Sequence, residues 1–313
     1  MPGGFFVGGS CAAVGTSLEV LPISCPSVTT PTAPSTPSSA HSASVTSPHP
    51  FDQAIALTPT AEGEYTGATS PAYANMVGPF GGVTAAVALN AVLQHPALLG
   101  EPVALTVNFC AALADGAFTA TARPARTNRS TQHWVVALAQ GGETVMTGTA
   151  MTAARRETWS VDDEPMPTVP APDAVPDPTH SPQVQWVRRY QMRFIEGGNP
   201  TNWDGGANRS QTRLWMREAA PRALDFCSIA ALADVFFPRV WLRRATRVPV
   251  GTVSMTVYFH AGAAPLAEIG CGWLLGQARA QAFRNGFFDQ TAQLWSEGGH
   301  LLATSHQVVY YKE

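Results

Sequence analysis

Charge is scarce in this chain. Asp, Glu, Lys and Arg make up only 13% of 313 residues, and the formal net charge is −3. A basic footprint for nucleic acid is therefore lacking. No apolar run approaches the roughly 18 residues of a membrane span, so no spanning helix is expected. Five cysteines (Cys11, Cys25, Cys110, Cys227, Cys271) form no CxxC pair. Zinc and dithiol redox chemistry are not expected, and the odd, scattered set reads as reduced, buried thiols. There is no GxSxG, which removes the serine elbow of α/β-hydrolases. His133, His260 and His306 lie in strand-like segments without metal-ligand spacing, so no metal site is expected.

Hydrophobic residues make up 45% of the chain, enough for a large core, but they are unevenly placed. Pro26 to Pro50 is almost entirely Ser, Thr, Pro and Ala. Such a segment cannot bury enough apolar surface to offset ordering entropy, so residues 1–50 read as a disordered tail. The tail lacks the positive start of a secretory signal and the arginines of a mitochondrial presequence, and Tyr311-Lys312-Glu313 is no peroxisomal address. A cytoplasmic protein is expected. A second Pro- and Asp-rich stretch, residues 162–182, reads as a linker between residues 51–161 and 183–313.

Those two stretches share one pattern. Leu105-Thr106-Val107-Asn108-Phe109 is echoed 150 residues later by Met255-Thr256-Val257-Tyr258-Phe259. The hairpin signal Gly141-Gly142 is echoed 157 residues later by Gly298-Gly299. Before each set of strands comes an apolar helical run, Gly81 to Leu89 in one half and Phe226 to Asp234 in the other. His95-Pro96 stops the first helix; Asp225 is the expected N-cap of the second, which is predicted over Phe226–Phe237 and ended by Pro238. Alternation predicts strands over Val103–Phe109, Phe118–Ala125, Gln132–Ala139 and Thr144–Thr152. In the second half it predicts Val253–Phe259, Trp273–Ala282, Gly286–Ser296 and Leu301–Tyr310. A helix apolar all round must be wrapped by something. One helix followed by an antiparallel meander, twice, is an α+β fold with two halves about a pseudo-twofold axis and a site between them.

The segments Phe80-Gly81-Gly82-Val83-Thr84, Leu105–Phe109 and Arg129-Ser130-Thr131-Gln132-His133-Trp134 resemble the first half of TesB-like acyl-CoA thioesterases. Leu224-Asp225 through Asp234, Thr252–His260 and Leu301–Gln307 resemble the second half. The resemblance covers about Phe51 to Tyr311. It implies a double hotdog, two antiparallel sheets each wrapped around a central helix, and hydrolysis of acyl-CoA to free acid and CoA without a cofactor, a step of fatty-acid and lipid metabolism. It also implies association into homo-oligomers. The family's catalytic Asp, Thr and Gln match Asp234, Thr252 and Gln307. In the first half Thr252 corresponds to Pro102 and Gln307 to Ala150, which implies one hydrolytic centre per chain.

The residues carry their own argument. Asp234 stands among Ile229, Ala230, Ala231, Leu232, Val235, Phe236 and Phe237, where a carboxylate is desolvated and its proton affinity rises unless donors compensate. The bland alternative is a carboxylate satisfied by Arg239 or Arg243. Gln307 shares a strand face with Leu301, Ala303 and Val309 and needs a partner. The Gly81-Gly82 helix start offers free N–H groups and no Cβ, a candidate donor for a thioester carbonyl. Arg129, with Arg123 and Arg126, is a candidate for CoA phosphates, the alternative being a solvated strand edge. Trp134, Trp273 and Trp295 read as core. The competing functions are a hotdog hydratase or dehydratase, whose Asp/His loop motif is not found, and a non-catalytic acyl-thioester-binding or scaffold protein.

Overall fold

Pro50–Ala54 forms a one-turn helix (α1) capped by the His49 side chain, and the strands Thr58–Ala61 (β1) and Glu64–Ala68 (β2) follow. Gly81–Leu93 is the first long helix (α2). The strands Glu101–Phe109 (β3), Ala117–Thr127 (β4), Thr131–Gln140 (β5) and Glu143–Ala153 (β6) complete the first half. In the second half come Tyr190–Glu196 (β7), Thr212–Glu218 (β8), the helices Phe226–Leu232 (α3) and Arg239–Arg244 (α4), and Val250–Phe259 (β9). Ala263–Ile269 (α5), Leu274–Arg279 (β10), Phe283–Arg284 (β11), Phe287–Ser296 (β12) and Leu301–Tyr311 (β13) end the chain. This computed structural model describes residues 48–177 and 184–313. Most of the expected tail, with Cys11 and Cys25, and residues 178–182 of the expected linker lie outside the described residues.

Among the described residues the strands form one thirteen-stranded antiparallel sheet in the order β1-β2-β4-β5-β6-β3-β9-β13-β12-β10-β8-β7, with β11 on β12. The expectation of two separate sheets gives way to this continuous one. The reason is the bare edge that β3 and β9 would each present, a row of unpaired N–H and C=O groups. They pair with each other instead, Leu105 opposite Val257, Thr106 opposite Thr256 and Val107 opposite Met255. Thr106 and Thr256, equivalent by the 150-residue repeat, face one another with hydroxyls 2.9 Å apart. The pseudo-twofold axis therefore passes between these two threonines. Arg155 clamps the seam, donating to the carbonyls of Pro102 on β3 and Phe259 at the end of β9, at 2.7 and 2.9 Å.

Helix α2 follows its sequence closely. Ten of its thirteen residues are buried, and small residues such as Gly82, Ala85 and Ala86 let it lie close to α3 and the sheet. Full burial of Leu89 and Val92 contributes about 1.5–3 kcal/mol each. The strands with clear alternation form close to their predicted bounds, except that β10 ends at Arg279 and not at Ala282. The strands β1, β2, β7 and β8 carry no such signal, because Pro59 interrupts β1 and Arg213 and Arg217 interrupt β8. Trp134, Trp273 and Trp295 are buried as expected. Trp215, Leu275 and Trp295 share one face of β8, β10 and β12 and form a second cluster joined by Val169 and Val175. Of the described cysteines only Cys227 is buried; Cys110 and Cys271 are exposed thiols, contrary to expectation.

Candidate active site

The second helix ends five residues earlier than predicted. Asp225 caps it as expected, accepting from the Ser228 N–H at 2.7 Å, but α3 stops at Leu232. The Asp234 N–H then reaches back to the Ala231 carbonyl at 3.1 Å, an i→i−3 bond that tightens the last turn. Pro238 does end the run, but as the cap of α4. Buried Arg239 anchors the far side of this turn, its Nε donating to the Phe237 carbonyl at 2.9 Å. Asp234 thus sits on the turn just beyond a helix, not within one.

From that turn the Asp234 side chain points at the start of α2, in the other half. Gln307 Nε2 donates to Asp234 Oδ1 at 2.8 Å, and the Gly82 N–H donates to the same carboxyl. A Cβ at Gly81 would lie 2.8 Å from Asp234 Oδ2, so any side chain there displaces the acid. Asp234 keeps some solvent contact, but its carboxyl is packed round by protein. Burial raises its pKa from the usual 3.8 to about 7, and the bonds from Gln307 and Gly82 oppose that rise.

Gln307 is itself buried, opposite Met255 on β9 and Gln290 on β12. Its Oε1 accepts a long bond of 3.4 Å from Thr252 Oγ1. The ionised Asp234 carboxyl only accepts, so it faces the NH₂ end of the amide and leaves Oε1 toward the Thr252 hydroxyl. Ser305, two residues before Gln307 and on the same face, donates to the Ala233 carbonyl at 3.5 Å. It ties β13 to the residue preceding the acid. Sequence reasoning missed Ser305; its signal was a second polar residue on an apolar strand face. The arginine alternative fails. Arg239 binds the Phe237 and Ser210 carbonyls and Thr212 Oγ1, and Arg243 reaches the Ala207 carbonyl.

Residues 70–153 match the acyl-CoA thioesterase N-terminal domain, and residues 163–311 match the acyl-CoA thioesterase C-terminal domain. The chain belongs to the acyl-CoA thioesterase family. A hot dog fold protein of unknown function from Alicyclobacillus acidocaldarius is 44% identical and superposes with a TM-score of 0.81, over 85% of this chain and 98% of that one. The acyl-CoA thioesterase II TesB2 of Mycobacterium marinum is 18% identical, with a TM-score of 0.67 over 84% of this chain and 98% of that one. The tesB protein of Mycobacterium avium subs paratuberculosis is similar at 17% identity, TM-score 0.67, over 84% of this chain and 98% of that one. No curated protein matches the chain.

In this thioesterase-family chain Arg129 does not join the cluster. It is exposed in the turn between β4 and β5, as are Arg123 and Arg126 on β4. His133, His260 and His306 are exposed, and among the described residues no group of His, Cys, Asp or Glu is arranged to hold a metal. No helix among them is long and apolar enough to cross a membrane.

A second acid was not anticipated. Glu218 stands opposite Tyr190 across β7 and β8, and among the described residues neither carboxyl oxygen has a hydrogen-bond partner; the Tyr73 and Tyr190 hydroxyls are also unpartnered. Burial pushes Glu218 up to about 8, against the pull of Arg222. The folded protein thus holds this proton to about pH 8, whereas an unfolded chain releases it near 4.5. Stability from this group is fully present below 4.5 and is lost as pH rises to about 8. Glu218→Gln will remove that loss: thermal melts will show little change at pH 5 and a gain on the order of a few kcal/mol at pH 8.5. An equal effect at both pH values would contradict the assignment.

Proposed function

We propose that this chain hydrolyses acyl-CoA thioesters to a free acid and CoA at a single centre made of Asp234, Gln307 and Thr252. The observation that carries the reading is the 2.8 Å bond from Gln307 to a carboxyl that burial has raised to about 7. Such a group is half ionised near neutral pH and suits general-base work. Asp234 takes a proton from a water whose oxygen attacks the thioester carbonyl carbon. The tetrahedral species then collapses, the C–S bond breaks, and Asp234 returns the proton to the departing sulfur. Gln307 and Thr252 hold the acid's direction, and positioning lowers the barrier.

The developing oxyanion needs a donor. The Gly82 N–H serves Asp234, so the Gly81 N–H, first in α2 and without an i−4 partner, is the remaining candidate. Homo-oligomerisation is part of the same reading, supported by exposed Val135, Tyr258 and Val308 on the sheet.

The test is thiol release from acyl-CoAs of graded chain length, followed against pH. Because the ionised acid is the active form, kcat/KM will fall about tenfold per unit below pH 7 and level off above it. Gln307→Met removes a bond that favours the ionised form, so the midpoint will move upward. Binding of acyl-CoA without thiol release at any pH would instead establish the non-catalytic reading.

A further inference from the structure

The image of this centre across the pseudo-twofold axis has lost its chemistry and borders a cavity. Contacts between the two helices fix which residues correspond. A Cβ on Gly82 would meet the Ala231 carbonyl at 2.6 Å, and Cys227 Sγ lies 3.7 Å from the Ala86 carbonyl. Gly82 thus matches Cys227, and Ala86 matches Ala231, both 145 residues apart. By the same step Gly81 matches Phe226 and Asp234 matches Leu89. On the sheet, Gln307 opposite Met255 repeats Ala150 opposite Leu105. The acid, the amide and the open glycine are therefore replaced by Leu89, Ala150 and Phe226. Asp225 at the start of α3 places its own carboxylate on the Ser228 N–H, so a negative charge stands where the first centre opens on glycine.

At that end lies an open cavity of about 380 Å³, lined by Asn90, Leu93 and Gln94 from the end of α2 and by Phe226 and Cys227 from α3. Its size is that of a small-molecule site. Its charged wall is already saturated: Arg222 donates to Asp52 at 2.8 Å, Asp225 at 2.6 Å and Ser228 at 2.5 Å. Two carboxylates against one guanidinium leave a net negative wall, which repels phosphate. The groups left for a ligand are uncharged. Asn90 uses its NH₂ on the Ile55 carbonyl at 2.7 Å and keeps its oxygen as an acceptor. Gln94 offers an exposed amide between apolar Leu93 and Phe226.

We infer that this second half-site binds the uncharged, amide-bearing pantetheine arm of CoA or its thioesters and holds it without hydrolysis. The proposal rests on the thioesterase reading for its ligand class, but its test does not depend on turnover.

The full chain is titrated calorimetrically with pantetheine, with CoA and with adenosine 3′,5′-bisphosphate. Two pantetheine sites per chain are expected, and the bisphosphate does not fill the cavity. Ala56→Trp, an exposed position lining the cavity mouth, will remove one pantetheine site and leave thiol release unchanged. Asp234→Asn will keep both. A single site in the parent, or two sites retained in a folded Ala56→Trp protein, overturns the inference. Should Ala56→Trp fail to fold, backbone amide shifts in the parent decide: pantetheine must move Gln94 and Cys227 as well as Gly82, and movement at Gly82 alone overturns it. A protein that binds pantetheine twice and hydrolyses nothing would refute the proposed activity and leave the second site standing.

Discussion

Asp234→Asn will lower kcat for thioester hydrolysis by about 10²–10⁴-fold, the usual contribution of a positioned general base. The substitution keeps the shape of the side chain and an oxygen that can accept from Gln307 Nε2, now at 2.8 Å. It removes the ability to take a proton and exchanges one acceptor oxygen for an NH₂ group. The fold will survive and will gain stability above neutral pH. The reason is the direction of the shift: burial raises the folded acid from 3.8 to about 7, so the acid's contribution to stability is lost as pH rises across that window. A more stable and nearly inactive variant is the signature of a residue held against its own solvation preference. Thiol release at the parental rate, or unfolding of the variant, would remove Asp234 from the base role.

Arg239→Ala will destabilise the fold by on the order of a few kcal/mol, the cost of leaving buried acceptors without their donor. Arg239 has no exposed surface and, among the described residues, no carboxylate partner. Its guanidinium instead serves backbone oxygens of Phe237 and Ser210 and the Thr212 hydroxyl at 2.7 Å. Burial lowers its pKa to about 9, which still leaves it charged at neutral pH. Alanine leaves these acceptors without a donor, and each unmet buried group costs about 1–3 kcal/mol. Because Phe237 closes the turn that begins at Asp234, activity will fall along with stability. Urea unfolding of the two proteins provides the measurement, and a difference under about 1 kcal/mol would show that the turn does not depend on this arginine.

The parts of the site differ in how visible they were beforehand. Asp234 was conspicuous, since an acid inside Ala230 to Phe237 has no local partner. The Gly81-Gly82 start was visible as a helix boundary, but its main partner was not. The Gly82 N–H goes to the acid of the other half, a contact between residues about 150 positions apart. Arg129 looked plausible by composition, yet the hairpin that carries it leaves it exposed and apart from the acid. Glu218 gave no signal at all, because β8 has no clean alternation and a glutamate between Arg217 and Ala219 reads as surface.

Periodicity and duplication were enough to determine the two apolar helices, the alternating strands and the equivalence of the halves, because those depend on near neighbours and on repeated pattern. The joining of β3 to β9 in one sheet, the early end of α3, and the meeting of Asp234, Gln307 and Gly82 were decided only in three dimensions. Each depends on hydrogen-bonding groups distant in the chain finding partners once water has been excluded, and no local spacing encodes that.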